Sequence, residues 1–282
     1  MATAWLLDSV ALGDNLEPLA KAVRDSGCEL KIANRPKPPY TWDDVDYNFL
    51  SSFPADHCVV VSGDIDMVER VRDAGIWTPA VFADVEKYFC TSYYPIFGDN
   101  LLNREYVMLP FGDLFRRRSF LFNTVGVDGK VFIRPDSPLK SFTGQILGDV
   151  TFEKDLEYLA FHEPLDSDVV AVCVPKSIEA EWRFVVVDGI VVAGSLYKRK
   201  LVMREEAVND GSIFDYAQSI VAETEFSPER VWILDVCQTT CGKLHVIEVG
   251  GFSFAGLYAC DKMRVVSAVS AVASELHRQR SG

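Results

Sequence analysis

Residues 231–258 read VWILDVCQTTCGKLHVIEVGGFSFAGLY, and this stretch holds two unusual carboxylates. The pattern predicts two strands, Val231–Cys237 and Leu244–Val249, joined by the polar turn QTTCGK and followed by a glycine-rich loop. The first strand is apolar except for Asp235, and the second is apolar except for His245 and Glu248. A carboxylate in an apolar strand costs free energy to desolvate unless a cation or hydrogen-bond donors meet it.

Asp235 and Glu248 together predict an oxygen-rich metal site. Mg²⁺ favours a few carboxylates combined with phosphate oxygens, and two paired strands could supply the carboxylates. The alternative is that both are edge-strand acids that face water. Sequence spacing alone does not decide between the metal site and the edge-strand acids, because the simplest hairpin register does not place the two residues side by side.

Two cations upstream suit phosphate binding. Arg134 ends the apolar strand VFIR just before Pro135, where a guanidinium is well placed to hold phosphate oxygens. Taken alone, a surface arginine that ends a strand is the simpler explanation. Lys140 lies in the loop DSPLKSFTGQ (136–145), which could close over a nucleotide or could be a mobile surface loop. The loop lacks the GxxxxGK[ST] pattern of a P-loop.

Arg183 is the strongest single candidate for a catalytic group. It lies in EWRFVVV (181–187), where strand alternation places Glu181 and Arg183 on one face, with Trp182 and Phe184 on the other. A partly buried arginine needs an acidic partner or a ligand phosphate. The alternative is a purely structural ion pair between Glu181 and Arg183.

These segments together resemble the ATP-grasp superfamily. Asp235, a Glu thirteen positions later and the glycine-rich loop resemble its metal-binding end, although Gly250 stands where those enzymes usually carry Asn. VFIRPDSPLKSFTG (131–144), EWRFVVVDGIVVAGSLY (181–197) and GLYACD (256–261) resemble one clade, named for two conserved arginines and a lysine. The resemblance covers about residues 130–262. The N-terminal third of the chain is similar only in its general pattern and carries none of these motifs.

The resemblance implies an ATP- and Mg²⁺-dependent ligase that forms an acyl phosphate, which an amine then attacks. Asp235 and Glu248 would hold the metal, and Arg183 and Lys140 would be catalytic. The segment VCVPK (172–176) falls where such proteins bind adenine, largely through backbone groups. The residues implied at ATP are Arg134, Lys140, Val172, Cys173, Val174, Lys176, Glu181 and Arg183.

The implied fold class is α+β. An ATP-grasp domain of two α+β halves that grip ATP would occupy 123–282, after a small Rossmann-like α/β domain at 1–122. Strands and helices alternate in the N-terminal part, and strands dominate from Lys130 onward.

Local signals predict several further elements. A short helix begins after its cap Asp64 and ends at Gly75, and Asp188–Gly189 forms a tight turn between two strands. The pattern also predicts an aromatic-rich loop over Phe89–Asn100 and one helix over Leu109–Asn123.

The amino-acid composition limits the classes of binding partner that are expected. The formal net charge of −13 argues against a general nucleic-acid or membrane binder, and no apolar run is long enough to span a membrane. Seven cysteines without paired spacing, and no signal peptide, indicate reduced thiols in a cytoplasmic protein. Cys237, Cys241 and His245 have a loose metal-like spacing, but core and turn positions explain them better.

The expected substrates are a small-molecule or peptide carboxylate and an amine, and a homodimer is compatible with this reading. The rival function is an ATP-binding assembly factor of the same superfamily, with a protein partner in place of the carboxylate. Gly250 in place of Asn fits such reduced catalysis.

Overall fold

The N-terminal part forms a parallel sheet flanked by helices, as its alternating pattern predicts. The computed structural model describes residues 3–34, 48–161, 166–200, 202–208 and 210–281. The strands are β1 (Ala4–Asp8), β2 (Glu29–Ala33), β3 (Cys58–Ser62) and β4 (Thr78–Ala80), in the parallel order β2-β1-β3-β4. The helices are α1 (Ser9–Leu12), α2 (Leu16–Asp25) and α3 (Ile65–Ala74).

The ends of α3 follow from its sequence. The Asp64 side chain accepts a hydrogen bond from the backbone amide of Met67 at 2.8 Å, which satisfies a helix-start donor. Gly75 ends the helix with φ 61°, a conformation that glycine adopts without steric cost. Both predicted boundaries are confirmed.

A second, antiparallel sheet lies in the middle of the chain. Its strands, in the order β5-β8-β6-β7, are β5 (Tyr106–Pro110), β6 (Lys130–Pro135), β7 (Gln145–Gly148) and β8 (Val169–Cys173). The helices of this part are α4 (Cys90–Phe97), α5 (Arg118–Thr124) and α6 (Phe152–Ala160).

A third sheet of five strands carries the stretch with the two carboxylates. Its strands are β9 (Ile178–Val187), β10 (Ile190–Arg199), β11 (Val202–Ala207), β12 (Val231–Thr239) and β13 (Leu244–Gly251), in the order β11-β10-β9-β12-β13. The remaining helices are α7 (Gly211–Glu223) and α8 (Lys262–Ser281). Short 3₁₀ turns lie at Gly13–Asn15, Asn48–Ser51, Val85–Tyr88, Gly98–Asn100 and Phe111–Asp113.

The chain forms two compact units, each discontinuous in sequence. The first unit comprises Met1–Asp84, Glu181–Val236 and Val249–Gly282, and the second comprises Val85–Ala180 and Cys237–Glu248. The predicted domain boundary between residues 122 and 123 falls inside the second unit and stays a prediction.

Each unit has its own hydrophobic core. In the first unit, alternate residues of β1 serve different clusters: Trp5 and Leu7 pack with Val265 of α8, whereas Leu6 packs with Val61. In the second unit, strand residues pack against α6 and against β8. Its members include Val131, Ile133, Phe152, Leu159, Val170 and Val172.

Two predicted elements are wrong. Phe89–Asn100 is not a loop, because helix α4 occupies Cys90–Phe97 and buries Tyr93, Tyr94 and Phe97 despite Pro95 inside it. Leu109–Asn123 is not one helix, since its first residues belong to β5 and only Arg118–Thr124 is α-helical. β5 pairs with β8, which lies far along the chain. Such a long-range pairing cannot be predicted from the local sequence pattern. Among the described residues, no helix is both long enough and apolar enough to cross a membrane.

Candidate functional site

Glu248 on β13 lies between two cations of the second unit. The Arg134 Nη2 donates to Glu248 Oε1 at 3.0 Å, and the Lys140 Nζ donates to Glu248 Oε2 at 3.1 Å. The Arg134 side chain is only 8% exposed, whereas that of Lys140 is 48% exposed. The predicted metal ligand is therefore held by two predicted phosphate-binding groups.

Arg134 is positioned by β6 and by a buried aromatic environment. Burial raises the pKa of Tyr93 and of Tyr94 well above the ordinary value, so both phenols are neutral beside the guanidinium. Two residues after Arg134, the buried Asp136 accepts hydrogen bonds from the Thr91 amide at 2.7 Å and hydroxyl at 3.0 Å. These contacts tie the start of α4 to the end of β6 and hold the arginine in place.

Asp235 on β12 forms a two-point ion pair with Arg183 on β9 in the first unit. The Arg183 Nε and Nη2 donate to the two carboxylate oxygens at 2.9 and 2.7 Å. The Asp235 side chain is 4% exposed and that of Arg183 is 16% exposed. Burial works against the charge on Arg183, but Asp235 more than offsets it, so the pKa of the guanidinium is raised well above its ordinary range. Arg183 therefore remains charged.

Two tyrosines flank Arg183. The rings of Tyr197 and Tyr258 stack with centroids 5.1 Å apart, and the guanidinium carbon of Arg183 lies 5.5 and 5.2 Å from them. The Tyr197 hydroxyl donates to Glu181 at 2.8 Å, and Lys198 pairs with the other Glu181 oxygen at 3.1 Å. Glu181 is thus used by Tyr197 and Lys198, while Arg183 pairs with Asp235 instead.

The predicted adenine segment, 172–176, spans the end of β8. Val172 and Cys173 are buried within β8, which is hydrogen-bonded to β5 on one side and β6 on the other. Burial raises the pKa of the Cys173 thiol to about 12, so it is neutral. Val174 and Lys176 lie beyond the end of the strand, and the Lys176 ammonium pairs with Glu105 at 2.8 Å. Backbone groups that could meet a ligand are expected in this connection rather than inside β8.

The two predicted metal ligands, Asp235 and Glu248, are both carboxylates. Among the described residues, no group of three or more His, Cys, Asp or Glu side chains is arranged to hold a metal ion. Mg²⁺ commonly takes one or two protein carboxylates and fills the other positions with water and substrate phosphates. Asp235 and Glu248 are donors of that kind, and their role as metal ligands stays a prediction.

Tyr197 and Tyr258 were missed by the sequence reasoning. Their positions gave a signal, because each lies in a motif that carries the family resemblance: Tyr197 ends the motif 181–197, and Tyr258 is the third residue of GLYACD (256–261). Tyr258 also has φ 45°, a left-handed conformation uncommon outside glycine and found preferentially at functional sites.

Solved structures of ATP-grasp proteins share this fold. D-cycloserine synthetase DcsG is 14% identical with a TM-score of 0.63, over 97% of this chain and 100% of that one. D-alanyl-alanine synthetase A from Vibrio cholerae is 12% identical with a TM-score of 0.61, over 98% of each chain. The ATP-grasp ligase PsnB, complexed with a minimal precursor, is 14% identical with a TM-score of 0.54, over 99% and 100%.

Because these sequence identities are low, the structural matches show the fold alone. The family is assigned by comparing the sequence with protein-family models. No curated protein matches the chain significantly. The model of an ATP-grasp domain, for the second family of the clade named for two arginines and a lysine, matches residues 115–268, more than half of the chain. The match spans Arg134, Lys140, Arg183, Asp235 and Glu248. The chain therefore belongs to the ATP-grasp superfamily, in the second family of that two-arginine, one-lysine clade.

Proposed function

We propose that the protein is an ATP- and Mg²⁺-dependent ligase that joins a carboxylate to an amine. The observation that carries the proposal is a repeated pairing: each predicted metal carboxylate is neutralised by predicted phosphate-binding cations. Asp235 is held by Arg183, and Glu248 is held by Arg134 and Lys140.

This pairing balances the charges of the proposed phosphate-binding residues. A buried charge is costly unless an opposite charge and hydrogen bonds meet it. In the structure, the cations and carboxylates satisfy one another. With nucleotide, the cations would turn to phosphate oxygens, and Asp235 and Glu248 would accept Mg²⁺, so every charge would keep a partner.

In the proposed reaction, a substrate carboxylate oxygen attacks the terminal phosphorus of ATP, and the bond to the ADP oxygen breaks. The amine nitrogen then attacks the acyl carbon, a C–N bond forms, phosphate leaves and the amine proton passes to solvent. Arg183 and Lys140 would stabilise the negative charge that develops on the transferring phosphoryl group. Mg²⁺, when bound, would neutralise phosphate oxygens.

The structural relatives suggest which substrates to test. They are a D-cycloserine synthetase, a D-alanyl-alanine synthetase and a ligase complexed with a precursor. We therefore propose amino acids or short peptides as substrates. A screen of both classes, singly and in pairs, would measure ADP release with Mg²⁺, and Asp235→Asn would serve as the inactive control. Stimulation by one carboxylate and one amine, lost in Asp235→Asn, supports a ligase.

The rival is an ATP-binding assembly factor with a protein partner. Gly250, where related enzymes usually carry Asn, favours it, because one metal-binding side chain is missing. Tight ATP binding without stimulated ADP release in the whole screen, together with one protein that co-purifies with the wild type, would support the factor and overturn the ligase.

A further inference from the structure

A cavity of about 380 Å³ lies in the second unit, away from the Glu248 cluster. Three segments enclose it: the chain at 101–104, the connection Pro175–Ser177, and the hairpin end at 239–245. The Thr240 amide donates to the Ser177 carbonyl at 3.1 Å, and this bond closes one side. Arg134, Lys140 and Glu248 do not line it.

The cavity also opens on another face of β13. Side chains alternate along a strand, so His245 and Glu248, three positions apart, point to opposite faces. His245 lines the cavity, while Glu248 meets Arg134 and Lys140. The cavity is therefore distinct from the proposed phosphate-binding cluster.

The lining is basic although the chain is acidic. Arg104, Lys176, Lys243 and His245 line the cavity, and no Asp or Glu among the described residues does, in a chain with a net charge of −13. Hydroxyl groups complete the polar wall, from Ser177, Thr239 and Thr240. At the margin, Asp99 pairs with Arg104 and Glu105 pairs with Lys176. The Asp99 side chain is 96% exposed, so it can leave Arg104 at little cost.

His245 in the cavity wall lies in the field of the surrounding cations. Burial is the main cause that lowers the pKa of His245, and Arg104, Lys243 and Lys176 lower it further. The pKa of the exposed Cys241 thiol is lowered chiefly by its contact with Thr239, with a contribution from Lys243. The fields of the cations therefore overlap inside the cavity, where an anion would be stabilised.

We propose that this cavity binds a phosphate group, either free phosphate or the phosphate of a small monoester, through Arg104, Lys176 and Lys243. A guanidinium fork, two ammonium groups and neighbouring hydroxyls match the oxygens of a phosphate dianion. The volume exceeds that of phosphate itself and leaves room for a small organic group. The cavity does not include Arg134, Lys140 or Glu248, although its wall shares Lys176 with the predicted adenine segment. Phosphate binding here does not depend on ligase activity.

His245 and Cys241 report occupancy directly. A bound dianion offsets the cations, so the pKa of His245 rises, as followed by NMR and assigned with His245→Gln. Cys241 is exposed while the other six cysteines are buried or partly buried. Its alkylation by neutral iodoacetamide should slow roughly threefold or more, because the thiolate is the reactive form. Inorganic phosphate and glycerol 3-phosphate are the two probes, and KCl at equal ionic strength is the reference.

Matched variants decide the outcome. Lys243→Gln and Arg104→Gln should abolish both responses, whereas Arg116→Gln, which removes an exposed arginine elsewhere in the unit, should keep them. Glu248→Gln should also keep them, which separates this site from the nucleotide cluster. A saturable response to inorganic phosphate alone identifies free phosphate as the ligand, and a stronger response to glycerol 3-phosphate identifies a monoester. Responses no larger than those with KCl, or their loss in Glu248→Gln, overturn the proposal.

Discussion

Arg183 meets Asp235 through two parallel hydrogen bonds of 2.9 and 2.7 Å, and both side chains are largely buried. Arg230 and Asp188 make a pair of the same form at 2.7 and 2.8 Å, but their side chains are 31% and 45% exposed. Among the described residues of the first unit, the same geometry is therefore found at a buried pair and at a surface pair. The surface pair is a control for tests of the buried one.

Arg183→Lys should remove turnover while the protein still folds. Lysine keeps the positive charge but cannot reproduce the two-point contact. We expect kcat to fall roughly 100-fold, the scale seen when one preorganised donor is lost. The Kd for ATP should rise about tenfold or less, because a contact made mainly in the transition state affects rate more than binding. Single-turnover rate and ATP titration on the same preparation check this.

Arg230→Lys is the control for that change. An exposed ion pair contributes about 0–1 kcal/mol, so this variant should keep both its rate and its melting temperature. If Arg183→Lys instead melts well below the wild type and keeps the normal rate per folded molecule, Arg183 is only a structural partner of Asp235.

Glu248→Gln should weaken Mg²⁺ binding. The amide keeps the shape and an acceptor for Arg134 and Lys140 but loses the charge that a divalent cation requires. We expect ATP turnover at limiting Mg²⁺ to fall about 10- to 100-fold, the range seen when groups that support a metal are removed. Calorimetric titration with ATP, with and without Mg²⁺, measures the effect. Asp149→Asn, which alters an exposed partner of Arg118, is the control. Equal ATP affinity with and without Mg²⁺ in the wild type would contradict the metal role.

Gly250→Asn should tighten Mg²⁺ binding. A Cβ at Gly250 meets no heavy atom within 4 Å, and its backbone is not left-handed, so a side chain can be introduced there without backbone strain. The variant supplies the amide oxygen that related enzymes usually carry there. We expect the Mg²⁺ concentration for half-maximal ATP binding to fall.

Gly251→Asn provides the contrast to that substitution. A Cβ at Gly251 would lie 2.9 Å from Ala83 Cα, so this variant should be destabilised and gain no Mg²⁺ affinity. Unchanged Mg²⁺ affinity in a well-folded Gly250→Asn protein would show that position 250 does not face the metal.

The loop 136–145 should become protected when ATP binds, but only in its centre. Asp136 and Phe142 are buried, and Gln145 begins β7, so both ends are anchored. Lys140, at φ 52°, is exposed between these ends. Hydrogen exchange with ATP and Mg²⁺ should slow at residues 137–141 and change little at 142–145. The same exchange pattern with and without ATP would rule out a closing lid.

His245 should make stability depend on pH below neutrality. Its pKa in the folded protein is below the ordinary 6.5, through burial and the cations Arg104, Lys243 and Lys176. The unfolded chain therefore takes up a proton first as the pH falls, and stability is lost from about pH 6.5 downward to the folded pKa. Urea unfolding at pH 8 and pH 5.5 should show a larger loss in the wild type than in His245→Gln. An equal loss in both proteins would assign the acid sensitivity to other groups.

Several elements of the fold could be predicted from the sequence alone, because they depend on interactions between neighbouring residues. The cap at Asp64, the stop at Gly75 and the Asp188–Gly189 turn, with φ 49° and 76°, depend on residues within a few positions of one another. The strands β1, β3, β12 and β13 were likewise predictable. A buried strand needs apolar residues at every position or at every second position, and such a pattern is visible in the sequence. The motifs also identified the superfamily, which the family match confirms.

Tertiary structure decided which charges meet. The neighbour available to Arg183 in sequence was Glu181, two positions away on the same strand, yet its partner is Asp235, 52 positions away. Arg134 likewise pairs with Glu248, 114 positions away. Such partners depend on strand order and register, which follow from the packing of whole sheets. Local periodicity sets which face a side chain occupies, and only the assembled sheet sets what lies opposite it.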